Sequence, residues 1–88
     1  MAIRVELYPP LRRMIGQRAI EVDLQMRNLD ELLDYLSKKY NKGFKQEVME
    51  GLQDYSYFVM INGRPKWDMA TSLSDGDVVA ISAHFAGE

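Results

Sequence analysis

An 88-residue chain with no cysteine and one histidine offers little side-chain chemistry. Disulfides, thiolate nucleophiles, cysteine-ligated metals and histidine clusters are all excluded. The histidine, His84, stands in the last stretch, Ser82-Ala83-His84-Phe85-Ala86-Gly87-Glu88. A histidine base needs a nucleophile to deprotonate and an acidic group to orient it, and neither is identifiable beside His84. Its expected role is packing or partner contact, not catalysis. No catalytic set, metal site or bound cofactor is expected anywhere in the chain. The tail itself is the feature to explain. Frayed termini are usually filled with polar residues, whereas this one carries Phe85, Ala86 and Gly87. It suits either a docked strand end or a segment that another protein grips.

The elements that would position this tail are legible as changes of period. Ile3, Val5 and Leu7 alternate with Arg4, Glu6 and Tyr8, the pattern of a strand with one buried face, and Pro9-Pro10 ends it. After a short connection closed by Gly16, Ile20, Val22 and Leu24 alternate with Glu21, Asp23 and Gln25, which predicts an antiparallel hairpin with the first strand. Leu29, Leu32, Leu33, Leu36 and Tyr40 then share one helical face, with Asn28 and Glu31 spaced as a capping box and Gly43 as the expected terminator or exit-loop residue. Further helical turns through Phe44, Val48 and Leu52 are compatible with the spacing, against the presence of Gly51. Tyr57, Val59 and Ile61 alternate with Phe58 and Met60 ahead of Asn62-Gly63, a strong hairpin signal, with a return arm expected around Lys66-Trp67. Trp67 is expected to anchor a core edge. Asp75-Gly76 marks a turn before the last strand, where Val79, Ile81 and Ala83 alternate with Ala80, Ser82 and His84.

One domain spanning residues 1–88 follows, an α+β fold with a mixed sheet of about five strands and one main helix on one face. The leucine stripe needs the alternating aliphatic residues to face it. Phe58 and Met60 then project from the opposite face with Arg4, Glu21, Asp23 and Ser82, and with Phe85 they would form an exposed apolar patch near the last strand, a frequent mark of an interaction site. The composition is 47% hydrophobic and 27% charged with a net charge of −2, so no basic field exists for nucleic acid. Glu6 interrupts the N-terminal segment, and no apolar run is long enough to span a bilayer. A cytoplasmic protein with no membrane contact is expected.

The stretches "RVELYPPLRRMIG", "NLDELLDYLSKKY" and above all "VMINGRPKWDMATSLSDGDVVAIS", from Val59 to Ser82, resemble the sulfur-carrier branch of the ubiquitin-like β-grasp proteins, the small subunit of molybdopterin synthase and its thiamine-pathway relatives. The resemblance covers essentially the whole chain. It implies a β-grasp fold and a non-catalytic protein substrate whose C-terminal carboxylate is adenylated with ATP by an activating enzyme and converted to a thiocarboxylate. A molybdopterin-synthase large subunit or similar sulfur acceptor is the implied second partner. Glycine suits such a tail because a residue without Cβ threads a narrow channel and leaves the acyl carbon open to attack. Residues 84–88 would reach roughly 16 Å at about 3.3 Å per residue. The implied functional segment is Ala86-Gly87-Glu88, with Phe58, Met60, His84 and Phe85 docking. The family ends in Gly-Gly, whereas Glu88 here follows Gly87. Glutamate adds bulk and a second carboxylate near the phosphates of ATP, so a β-grasp interaction module that docks without carboxylate activation stands beside the carrier reading.

Overall fold

Residues 2–9, 11–23 and 26–83 are described by the computed structural model. Strand β1 (Ile3–Leu7) buries Ile3, Val5 and Leu7 and pairs antiparallel with β2 (Ala19–Val22), setting Ile3 opposite Val22 and Val5 opposite Ile20. The hairpin is as its alternation predicts; Leu24 lies outside the described residues. The connection holds an element that the alternation does not show, the short helix α1 (Leu11–Ile15), whose Leu11 and Ile15 are buried one turn apart.

Helix α2 (Leu29–Lys39) buries Leu29, Leu32, Leu33 and Leu36. Asn28 caps it by accepting the Glu31 N–H at 3.0 Å, but the reciprocal bond goes one residue further back, from the Arg27 N–H to Glu31 at 2.9 Å. Those hydrogen bonds from Arg27, backbone first, hold the Glu31 carboxyl below its usual range. Gly43 does not close this helix in a left-handed turn. Its φ is −87°, and it is instead the N-cap of helix α3 (Phe44–Gln53). The turns through Phe44, Val48 and Leu52 are thus a full second helix, with Phe44 and Val48 buried. Lys45 joins the two helices through Asp30 and Asp34 at 2.8 and 3.0 Å.

Strand β3 (Tyr57–Ile61) turns through Asn62-Gly63 into β4 (Arg64–Lys66). Both turn residues have positive φ, 53° and 82°, the condition for the type I′ hairpin that Asn-Gly favours. The return arm begins at Arg64, opposite Ile61, and is complete before Trp67. Trp67 consequently lies beyond the sheet and is 47% exposed, not a core anchor. Strand β5 (Val78–Ala83) enters the middle of the sheet, parallel to β1 and antiparallel to β3, giving the order β2-β1-β5-β3-β4. The Asn62 side chain ties that entry down: its amide donates to Asp77 at 2.9 Å while its carbonyl accepts the Val78 N–H at 3.0 Å. Asp77 also accepts the Ser74 N–H at 2.8 Å, which explains why Asn-Gly and Asp-Gly-Asp occur together.

The core lies between the helices and one sheet face, where Val59, Ile61, Val79 and Ile81 meet the α2 leucines and Phe44. Tyr57 is buried at its edge, and its hydroxyl donates to Glu47. Burial first, and then Glu47, push its phenol up to about 12. A phenol raised from its ordinary value near 10 contributes stability that is present below pH 10 and lost as the pH climbs through 12. Lys45, raised by hydrogen bonds to Asp30 and Asp34, acts in the same alkaline direction. Denaturant titrations at rising pH should show stability falling by roughly 2 kcal/mol on account of Tyr57. In Tyr57→Phe that component of the fall should be missing; an unchanged alkaline fall would contradict the assignment.

Candidate functional site

Cross-strand register determines what the sheet presents on the face away from the helices. Phe58 stands opposite Ser82, and Met60 stands between Ala80 of β5 and Pro65 of β4. Phe58, Met60, Val78 and Ala80 are half-buried, so this end of the face is an apolar strip. The other end is polar: Arg4 pairs with Glu6 at 3.1 Å and with Glu21 at 3.7 Å. An apolar strip bordered by paired charges suits protein contact better than small-molecule binding. Proline at position 65 is compatible with the ladder because β4 is an edge strand.

The structure therefore brings Phe58 and Met60 together on one open face, next to the strand that leads into the tail. His84, Phe85, Ala86, Gly87 and Glu88 lie outside the described residues. β5 ends at Ala83, opposite Tyr57, in a central position of the sheet. A segment leaving a central strand starts from a rigid base, which is what presentation to a partner requires. Among the described residues no three His, Asp or Glu side chains are grouped to hold a metal ion, and no helix is long and apolar enough to cross a membrane.

A second surface was not foreseen from the sequence. Met49, Leu52, Gln53, Tyr55, Trp67 and Met69 line a groove of about 340 Å³ between the end of α3 and the chain that follows β4. The Tyr55 and Trp67 rings meet edge to face, centroids 5.8 Å apart and planes 72° apart. The available signal is Trp67 standing between Lys66 and Asp68, a poor setting for a core residue.

Neither protein-family models nor curated proteins match the sequence. Solved structures do. The Haloferax volcanii HVO 2177 protein is 28% identical, with a TM-score of 0.74 over 100% of this chain and 87% of that one. Small archaeal modifier protein 1 from Methanosarcina acetivorans has a TM-score of 0.75 at 22% identity, over 99% and 96% of the two chains. Subunit 1 of the Helicobacter pylori molybdopterin-converting factor, solved in complex with subunit 2, has a TM-score of 0.63 at 22% identity, over 100% of both chains. These likenesses run over essentially the whole of the chain. The chain therefore has the ubiquitin-like β-grasp fold, shared with these archaeal proteins and with the molybdopterin-converting-factor subunit.

Proposed function

We propose that this protein is a sulfur carrier of the molybdopterin-synthase small-subunit type. The observation that carries the reading is the apolar strip of Phe58 and Met60 beside β5, the central strand that ends at Ala83 immediately before the tail. A partner enzyme docks on that strip and receives Ala86-Gly87-Glu88 in its own site. There the main-chain carboxylate attacks the α-phosphorus of ATP held by an adenylating partner, releasing pyrophosphate and leaving an acyl adenylate. Sulfide-level sulfur from a donor then displaces AMP to give the thiocarboxylate, whose sulfur is delivered to a substrate held by an acceptor such as a molybdopterin-synthase large subunit while water restores the carboxylate. The protein is a substrate and a subunit in this scheme, not an enzyme. The likeness to a subunit solved in complex with a second subunit supports the docking step.

Glu88 favours a second reading, in which the domain docks as a structural or regulatory subunit and is never activated. Its side chain is bulky where the family has glycine, and its carboxylate repels the ATP phosphates. Pyrophosphate release in the presence of the host adenylating enzyme and ATP separates the two. The carrier reading expects release with the native chain and faster release with Glu88→Gly. Release only with Glu88→Gly would establish the docking module instead.

A further inference from the structure

The groove beside α3 collects side chains that surfaces rarely gather. Trp67 and Tyr55 are 47% and 70% exposed, and Met49, Leu52 and Met69 line the groove with them. Tyr55 is held there at a conformational cost. Helix α3 ends at Gln53 with Asp54 as its cap, so Tyr55 occupies the position where chains commonly turn left-handed and glycine is the usual residue. Its φ is +63°, an outlier for a bulky aromatic side chain. Glycine would make this turn without strain, yet a largely exposed ring stands in its place. Strain kept at an exposed side chain marks binding positions more than folding ones.

The charged chain neighbours of the lining residues are mostly acidic. Glu50 adjoins Met49 and lies one turn from Gln53, Asp54 adjoins Tyr55, and Asp68 separates Trp67 from Met69; Lys66 is the one cation next to a lining residue in the chain. The Ser56 hydroxyl and N–H hold the Asp54 carboxyl below its usual range, so it is charged at neutral pH. Two largely exposed rings whose charged chain neighbours are mostly carboxylates suit a cation, and the methionines adapt to apolar side chains of varied shape.

We infer that this groove is a docking site for a cationic amphipathic segment of a partner protein. An apolar side chain of the segment enters among Met49, Leu52 and Met69, and a neighbouring lysine or arginine lies over the Trp67 and Tyr55 rings. The groove is built on α3 and the chain after β4, not on the open sheet face that carries Phe58 and Met60.

Trp67 is the sole tryptophan, and its emission reports on the groove directly. The probes are two short synthetic peptides with the same leucine positions, one carrying lysines and the other glutamates. The lysine peptide should shift the emission saturably and bind more weakly as sodium chloride is raised. Tyr55→Gly should weaken it about tenfold by removing one ring while leaving the thermal midpoint no lower than that of the native chain. Glu50→Gln should weaken it about twofold. Absence of saturable binding, equal binding of the glutamate peptide, or undiminished binding by Tyr55→Gly overturns the inference. So does an emission shift that follows protein concentration alone, which would make a second copy of this chain the occupant.

Discussion

Gly51→Ala will destabilise the domain by about 2–3 kcal/mol, although alanine is the better helix former. A Cβ at position 51 would fall 1.9 Å from Cδ2 of Tyr57, with Cγ and Cε2 at 2.5 and 2.7 Å. Those are ring atoms of a side chain that is buried and fixed by its bond to Glu47. The ring cannot swing away without breaking that bond or opening the core. Overpacking of this kind exceeds the roughly 1 kcal/mol that alanine returns in helix propensity. Denaturant unfolding measures the loss. In Gly51→Ala/Tyr57→Val the loss should be smaller than the sum of the two single losses, because the smaller side chain vacates the contested volume. An unchanged midpoint in Gly51→Ala would show that α3 and β3 are not packed as described.

If the carrier proposal holds, Met60→Asp will leave the fold standing and weaken docking of the proposed activating enzyme about a hundredfold, the scale expected of a central interface residue. Met60 projects from the open face between Ala80 and Pro65, and the core-facing positions Val59 and Ile61 are untouched. The charge therefore costs little in the free protein. At an interface it must be desolvated against apolar side chains without a partner, which is the expensive case. Glu21→Gln is the matched control, since Glu21 sits at the polar end of the same sheet and its side chain is 67% exposed. Equal binding by native chain and Met60→Asp would remove the open face from the docking scheme.

The sheet and main helix were legible because a half-buried strand and an amphipathic helix write different periods into the chain. Ile3-Val5-Leu7 and Leu29-Leu32-Leu33-Leu36 need nothing beyond themselves to be read. Asn62-Gly63 was legible for a different reason: the backbone there requires two positive φ values, and few residue pairs supply them. Helix α3 was obscured by Gly51, whose purpose is visible only once Tyr57 is known to lie across it. Gly43 was readable as the end of the helix or of its exit loop, and it ends the loop, standing directly before Phe44 as the N-cap of α3. Trp67 and Tyr55 were illegible as a pair because eleven intervening residues carry the chain through β3 and back before they meet. For the candidate site, alternation alone placed Phe58 and Met60 on the open face. The tail carries no period at all, so its role rests on the residues themselves and on what the fold presents beside them.

The central claim is that the tail bears the reactive group, and the accurate mass of the intact protein from its native host tests it most directly. Fragmentation should identify the last residue and its terminal atoms. The carrier account predicts a population in which one terminal oxygen has been replaced by sulfur, on Glu88 or on Gly87 after removal of Glu88. A chain that always carries an ordinary carboxylate, even when isolated with its activating enzyme and sulfur donor present, would contradict the account.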